Sequence, residues 1–195
     1  MSALLVGEDG LARCWWCGTD PLYVDYHDTE WGVPVHGDRE MFERLVLEAF
    51  QSGLSWITIL KRRETFRSAF AGFDPHAIAG FGAADRERLM NDPGIIRNNA
   101  KIDATIHNAA IVANMMDTEP GALDDLVWSH APQSNPRRVD RADIPAITPE
   151  SEALAKALKK RGFRFVGPTT AYAHMQAVGV VDDHIVGCHR SKSTT

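Results

Sequence analysis

The sequence predicts an all-α fold. Apolar residues recur at helical spacing in several segments, helix start and stop signals bracket those segments, and strand-like alternation is almost absent. The 195 residues fit one domain spanning the whole chain, with 1–13 expected as a loose leader and 189–195 as a tail that frays.

The leader, MSALLVGEDGLAR, has neither the basic start nor the apolar length of a signal peptide. From Cys14 the segment CWWCGTDPLYVDYHDTEWGVPVHGD holds two of the three cysteines and three of the five tryptophans. Gly18, Pro21, Gly32, Pro34 and Gly37 break any long element here. A helix is expected from Asp38, as N-cap, to Phe50. Phe42, Leu45, Val46, Ala49 and Phe50 form its apolar face. Gln51, Ser52 and Gly53 interrupt the pattern, and Gly53 favours a bend. A second helical piece runs from Ser55 to Phe70.

Asp74-Pro75 and Asp92-Pro93-Gly94 mark turns. After the second, Ile102, Ile106, Ala109, Ala113 and Met116 give a helical stripe. The layout is helix, tight turn, helix. The N–H groups near Arg97 to Ala100 suit a phosphate, with Arg97 and Lys101 adding charge. An ordinary helical hairpin explains the same pattern. Gly121 to Ala131 reads as a short helix, and 132–149 as a polar connector. Thr148-Pro149-Glu150 opens a helix that ends at Lys159-Lys160-Arg161-Gly162. Thr169 to Val178 forms the last helix.

The totals exclude several function classes. No apolar run reaches the length of a membrane span. Three cysteines, an odd number, suggest no disulfide framework and a reducing cytoplasm. A net charge of −5 is wrong for a general nucleic-acid coat, so DNA contact would need a local basic face. Lys61 to Arg63 with Arg67, and Lys156 to Arg164, are such clusters. No Ser-His-Asp order, phosphate loop or HExxH is present.

Two groups of residues carry chemistry. Glu48 is the one acid in the apolar run LEAFQSGLSWITIL. An acid, a bend at Gly53, an aromatic plate at Trp56 and a basic end suit a pocket for a flat cation near a polyanion. A solvated Glu at the border of an amphipathic helix is the plainer explanation. Tyr23 and Tyr26 are further candidates to stack on a base. Second, His184 and Cys188 lie one helical turn apart, while Cys14 and His27 lie near the other end of the chain. Two thiolates and two imidazoles are a full tetrahedral set for structural zinc. Cys17 and His189 compete as ligands, and free cysteines in a core remain an alternative.

Taken together, DPLYVDYHDTEWGVP, LEAFQSGLSWITILKRRETFR, DPGIIRNNAKI, KALKKRGFRFVGPTT and VVDDHIVGC resemble the DNA-3-methyladenine glycosylase I family, of the helix-hairpin-helix glycosylase superfamily. The resemblance runs from about Arg13 to Cys188. It implies a helix-hairpin-helix fold with a zinc site of Cys14, His27, His184 and Cys188 clasping the two ends. It implies a base pocket of Glu48, Tyr26 and Trp56, with Tyr23 and Trp16 nearby. It implies hydrolysis of the N-glycosidic bond of N3-methyladenine in double-stranded DNA, by a monomer working without a membrane. Gly53 and Leu54 are then expected to enter the duplex, and Gly94, Arg97 and Lys101 to meet the backbone. Cys17 and a longer leader are this chain's departures. A non-catalytic, zinc-stabilised damage-binding protein is the competing expectation. A zinc hydrolase fits less well, because four protein ligands leave no open position.

Overall fold

The computed structural model describes residues 2–191. It is mostly helical: α1 (Pro21–Thr29), α2 (Asp38–Gln51), α3 (Trp56–Leu60), α4 (Arg63–Ala69), α5 (Pro75–Ala79), α6 (Ala83–Asn91), α7 (Asn99–Thr118), α8 (Ala122–Trp128), α9 (Pro149–Lys160) and α10 (Pro168–Ala177). Among the described residues, no helix is long and apolar enough to cross a membrane.

The core forms where α2 packs on α7, α8 and α10, with α9 on the far side of α10. Phe42, Phe50, Phe66, Phe70 and Phe73 are fully buried. Phe50 meets Phe66 edge-on at 4.8 Å between ring centroids, a favoured aromatic geometry. The α9 boundaries agree with the sequence signals. Thr148 accepts from the Ser151 N–H, and Gly162 takes a left-handed φ of 94° just past the end.

Three expectations change. The leader is not loose: Leu4–Val6 (β1) pairs antiparallel with Ala12–Cys14 (β2). Gly7 N–H donates to Leu11 O at 3.0 Å, and Gly10 closes the turn at a φ of 77°. Arg13 anchors the hairpin on Asp9 and Asp28. Strands this short carry too little alternation to be seen in sequence. Met1 and residues 192–195 of the expected tail lie outside the described residues; His189 N–H donates to Ala12 O, holding the tail's start against β2.

Asp38 is not the cap of its own helix, which starts after Gly37. Its carboxylate instead accepts from the N–H groups of Gly121, Leu123 and Asp124 at 2.8–3.0 Å, capping α8. Asp124 returns the favour by accepting from Gly37 N–H. The stretch 55–70 is two helices, broken at Lys61-Arg62. The β-branched run Ile57-Thr58-Ile59 weakens the first. The break lets Thr65 donate to Gly94 O, so α4 docks on the turn between α6 and α7.

Candidate functional site

Two adjoining sites sit where α1, α2, α3 and α10 converge with the chain ends. The first is a cavity of about 250 Å³ lined chiefly by Trp16, Tyr23, Tyr26, Trp31, Glu48 and Trp56. That is below the ~300–1,000 Å³ of pockets for drug-sized ligands, and suits one heteroaromatic base. Tyr26 and Trp56 pack against each other at 5.4 Å between ring centroids, tilted by 45°. Trp16 packs against Tyr23 at 5.2 Å and Trp31 at 4.8 Å.

Glu48 is 6 % exposed. Among the described residues, no group hydrogen-bonds its carboxylate. Burial pushes its carboxyl up to about 8, against the pull of Arg44 one turn earlier on α2. Burial also raises the phenols of Tyr23, to about 12, and Tyr26; the Glu48 charge adds to both. Trp56 Nε1 is a second buried polar atom without a partner. An acceptor and a donor left free in an aromatic box are unusual in a protein interior.

The bend at the end of α2 shapes the pocket rim. Ser52 ends the helix, and Gly53 takes a φ of 83°. A Cβ there would meet nothing within 4 Å, so backbone conformation, not space, asks for glycine. Leu54 follows, 38 % exposed. Gln51 Nε2 donates to Leu54 O at 2.7 Å, joining the pocket lining to the bend.

Lys101 has a different job from the one expected. Its ammonium turns inward and donates to Phe50 O at 3.0 Å and Ser52 O at 2.9 Å. These are carbonyls orphaned by the end of α2, so Lys101 caps that helix and offers little charge to solvent. Arg97 is exposed before α7, whose N-cap Asn98 accepts from Lys101 N–H. Gly94 lies under Thr65, and a Cβ there would approach Thr65 to 3.0 Å.

The second site gathers Cys14, His27, His184 and Cys188, whose donor atoms lie within 4.8 Å of one another and which are all buried. This Cys/His set could hold a metal ion. Cys188 Sγ is 3.5 Å from His27 Nε2 and 3.7 Å from His184 Nδ1, and Cys14 Sγ is 3.8 Å from His184 Nδ1. The outward nitrogens are also held: His27 Nδ1 by Asp28 at 2.7 Å, and His184 Nε2 by Trp31 O at 3.2 Å. A hydrogen bond between the two sulfurs, with burial, pushes the Cys14 thiol up; the same bond, helped by both imidazoles, pulls Cys188 down. Cys17 is not in the cluster; its thiol donates to Cys14 O. His189 bonds Asp28 instead.

The structure therefore brings together Trp16, Tyr23, Tyr26, Glu48 and Trp56 in one cavity. Sequence reasoning missed Trp31, Gln51 and Ile144 in the lining. Trp31 stands four residues after His27, which is its one sequence signal; nothing marks Ile144, which comes from the long connector.

A family-wide sequence profile described as methyladenine glycosylase matches residues 16–191. The chain is 50% identical over 182 residues to DNA-3-methyladenine glycosylase 1 of Escherichia coli (strain K12), covering 91% of this chain and 96% of that protein. A crystal structure of a 3-methyladenine DNA glycosylase I superposes with a TM-score of 0.88 at 48% identity, covering 92% of this chain and all (100%) of the other. The Staphylococcus aureus enzyme, in a structure addressing 3-methyladenine recognition, gives a TM-score of 0.84 at 31% identity over 91% of this chain and 95% of its own.

Proposed function

Since the chain belongs to the methyladenine glycosylase family and is a glycosylase acting on N-glycosyl bonds, we propose that it excises N3-methyladenine from alkylated double-stranded DNA and leaves an abasic site. Family membership sets aside the non-catalytic damage-binding alternative. The observation that carries the substrate is Glu48: a buried carboxylate with no protein partner, in an aromatic cavity of one-base size.

Methylation at N3 makes the base cationic within the nucleotide. The glycosidic bond is then labile, because its electron pair leaves on the base and neutralises it. Water adds to the sugar carbon and gives its proton to solvent. The protein has to extrude the nucleotide, select the lesion and hold the base as the bond lengthens. Tyr26 and Trp56, packed on each other, stack on or bound the base, and Tyr23 and Trp16 close the box. Glu48 accepts hydrogen bonds from the base edge and offsets its charge. A normal adenine brings no charge to repay the burial of that carboxylate. Selection and electrostatic catalysis thus come from one group, with no strong general acid.

On the DNA side, Leu54 at the Gly53 bend fills the space the base vacates. The helix-hairpin-helix turn at Gly94, with Arg97, meets the phosphate backbone. Lys101 supports this face from below. The protein works as a monomer on DNA in the cytoplasm.

The Cys14, His27, His184 and Cys188 set holds zinc. Two thiolates and two imidazoles are a donor set that would suit zinc, and their ligand atoms lie within 4.8 Å of one another. A dication also removes the conflict between the two thiolates. When bound, it supplies structural cross-linking; these residues clasp the chain ends and leave no position for an activated water.

The test is release of free 3-methyladenine from methylated duplex DNA, followed by chromatography. We expect release from wild type. Tight DNA binding with no base released from any methylated purine would sink the reading.

A further inference from the structure

We propose that Phe165 is a second apolar contact to DNA, placed beside the Gly53-Leu54 bend. The proposal rests on the DNA-glycosylase reading above and extends it to a residue outside the base pocket.

Phe165 is 44 % exposed and has a φ of 59°. A bulky side chain at left-handed φ is a true outlier, and such strain persists only where the surroundings enforce it. Here the enforcement is visible. Asn108 Nδ2 donates to Arg164 O at 2.9 Å, and Arg164 N–H donates to Asn108 Oδ1 at 2.8 Å. Phe163 and Val166, on either side, are buried. Two anchors and a two-pronged clamp hold one residue pair, Arg164-Phe165, out toward solvent. Phe165 lines a small crevice with Leu45 and Val46 and leaves the rest of its surface to solvent.

The position is not arbitrary. Asn98, Lys101 and Asn108 lie on one side of α7, at helical spacing. Asn98 caps the helix next to Arg97. Lys101 grips Ser52 O, just before Gly53 and Leu54. Asn108 grips Arg164. From Asn98 to Asn108 is about 15 Å along the axis, at ~1.5 Å per residue. Phe165 also shares a small crevice with Ala49 and Lys101. One stretch of α7 therefore aligns the hairpin turn, the Leu54 bend and the Phe165 loop.

Charge favours DNA as the occupant. Arg63, Arg67, Arg86 and Arg138 are all tied to acids. Arg97, Arg161 and Arg164 form no ion pair among the described residues, on a chain of net charge −5. The exposed Arg164 next to the ring, with Arg97 at the hairpin turn, matches a phosphate backbone with an apolar base or sugar edge between.

The test uses Phe165→Gly and Phe165→Leu in the full chain. Glycine tolerates the left-handed backbone, so Phe165→Gly should melt no lower than wild type, yet bind an abasic-site duplex about tenfold more weakly. Phe165→Leu should keep most of the affinity. Free 3-methyladenine should bind all three proteins equally, since the pocket is untouched. Wild-type affinity for the duplex in Phe165→Gly overturns the proposal, as does a fall in melting temperature with affinity unchanged, which marks the ring as structural. If wild type itself fails to bind methylated or abasic duplex, the glycosylase reading fails, and the two failures are distinct.

Discussion

The metal cluster and the base pocket share a wall, and they differ in how their polar groups are satisfied. In the cluster every donor is held: four ligand atoms face one another, and both outward imidazole nitrogens have acceptors. In the neighbouring pocket Trp56 Nε1 is buried without a partner, and the Glu48 carboxyl faces the cavity with no hydrogen bond from the protein among the described residues. A protein interior tolerates the second arrangement only at a cost, because a buried unpaired polar group loses its water without replacement. The closed site stabilises the fold; the open one is incomplete until a ligand fills it. Trp16 and Trp31 belong to both, Trp16 against the His27 ring at 5.2 Å and Trp31 as acceptor for His184.

The largest effect should come from opening the closed site. Cys188→Ala removes one ligand of four. We expect loss of zinc and a melting temperature lower by about 10 °C or more, as a loss of several kcal/mol implies for a chain of this size. Protein that remains folded should still excise the base. Metal content is read beside single-turnover excision on a zinc-free sample that keeps its helical signal and DNA affinity. Total loss of excision in that sample would place chemistry at the metal and erase the contrast.

Next is the open site. Glu48→Gln keeps the shape but removes the charge. Binding of free 3-methyladenine, by calorimetry above pH 8 where the carboxyl is ionised, should fall about tenfold or more, the scale of a charged hydrogen bond. Stability should move the other way. Glu48 titrates near 8 folded against an ordinary 4.5. The folded state therefore holds its proton more tightly, and wild type loses stability as pH rises from about 4.5 to about 8. The glutamine variant escapes that loss, so its advantage should be absent at pH 4.5 and reach about 2 kcal/mol above pH 8. Pocket water keeps it below the limit of about 5 kcal/mol that 1.36 kcal/mol per pH unit would allow. An unchanged ligand affinity would remove Glu48 from the pocket. A smaller effect belongs to Trp56→Phe, which deletes the free N–H and retains the ring. A few-fold loss of base affinity with little change in melting would show that the N–H meets the ligand; full affinity would mean that it does not.

The sequence revealed these two sites unequally. The four residues of the Cys/His cluster stood out by residue type, since two thiols and two imidazoles are a donor set that could hold a metal ion. Glu48 stood out as a lone acid in an apolar run, but only the fold shows that its carboxylate lacks a partner. Trp31 and Ile144 were missed because lining a pocket leaves no pattern along the chain. The helices were legible from their stripes and caps. The β1–β2 hairpin was not, its strands being three residues each. Asp38 and Lys101 misled for one reason: each looked like a local or surface charge, and each caps a helix distant in sequence. Long-range capping is invisible to a local reading.

The smallest effect tests the boundary between the two sites. Cys17 lies three residues from Cys14 and competes with it on sequence grounds. The geometry separates them: Cys14 Sγ faces His184, while Cys17 donates its S–H to Cys14 O at 3.1 Å. The Cys17 sulfur lies outside the four-residue cluster, its S–H spent on the backbone of its own turn. Its hydrogen bond holds the 3-10 turn Trp15–Cys17, which carries Trp16 to the pocket. Cys17→Ala should therefore leave one zinc bound and cost about 1 kcal/mol, the worth of a weak buried hydrogen bond and little volume. Cys17→Ser restores a donor and should recover part of that. Base affinity should fall slightly, if at all, through Trp16. Loss of stoichiometric zinc in Cys17→Ala, with Cys14 intact, would make Cys17 the ligand and redraw the cluster.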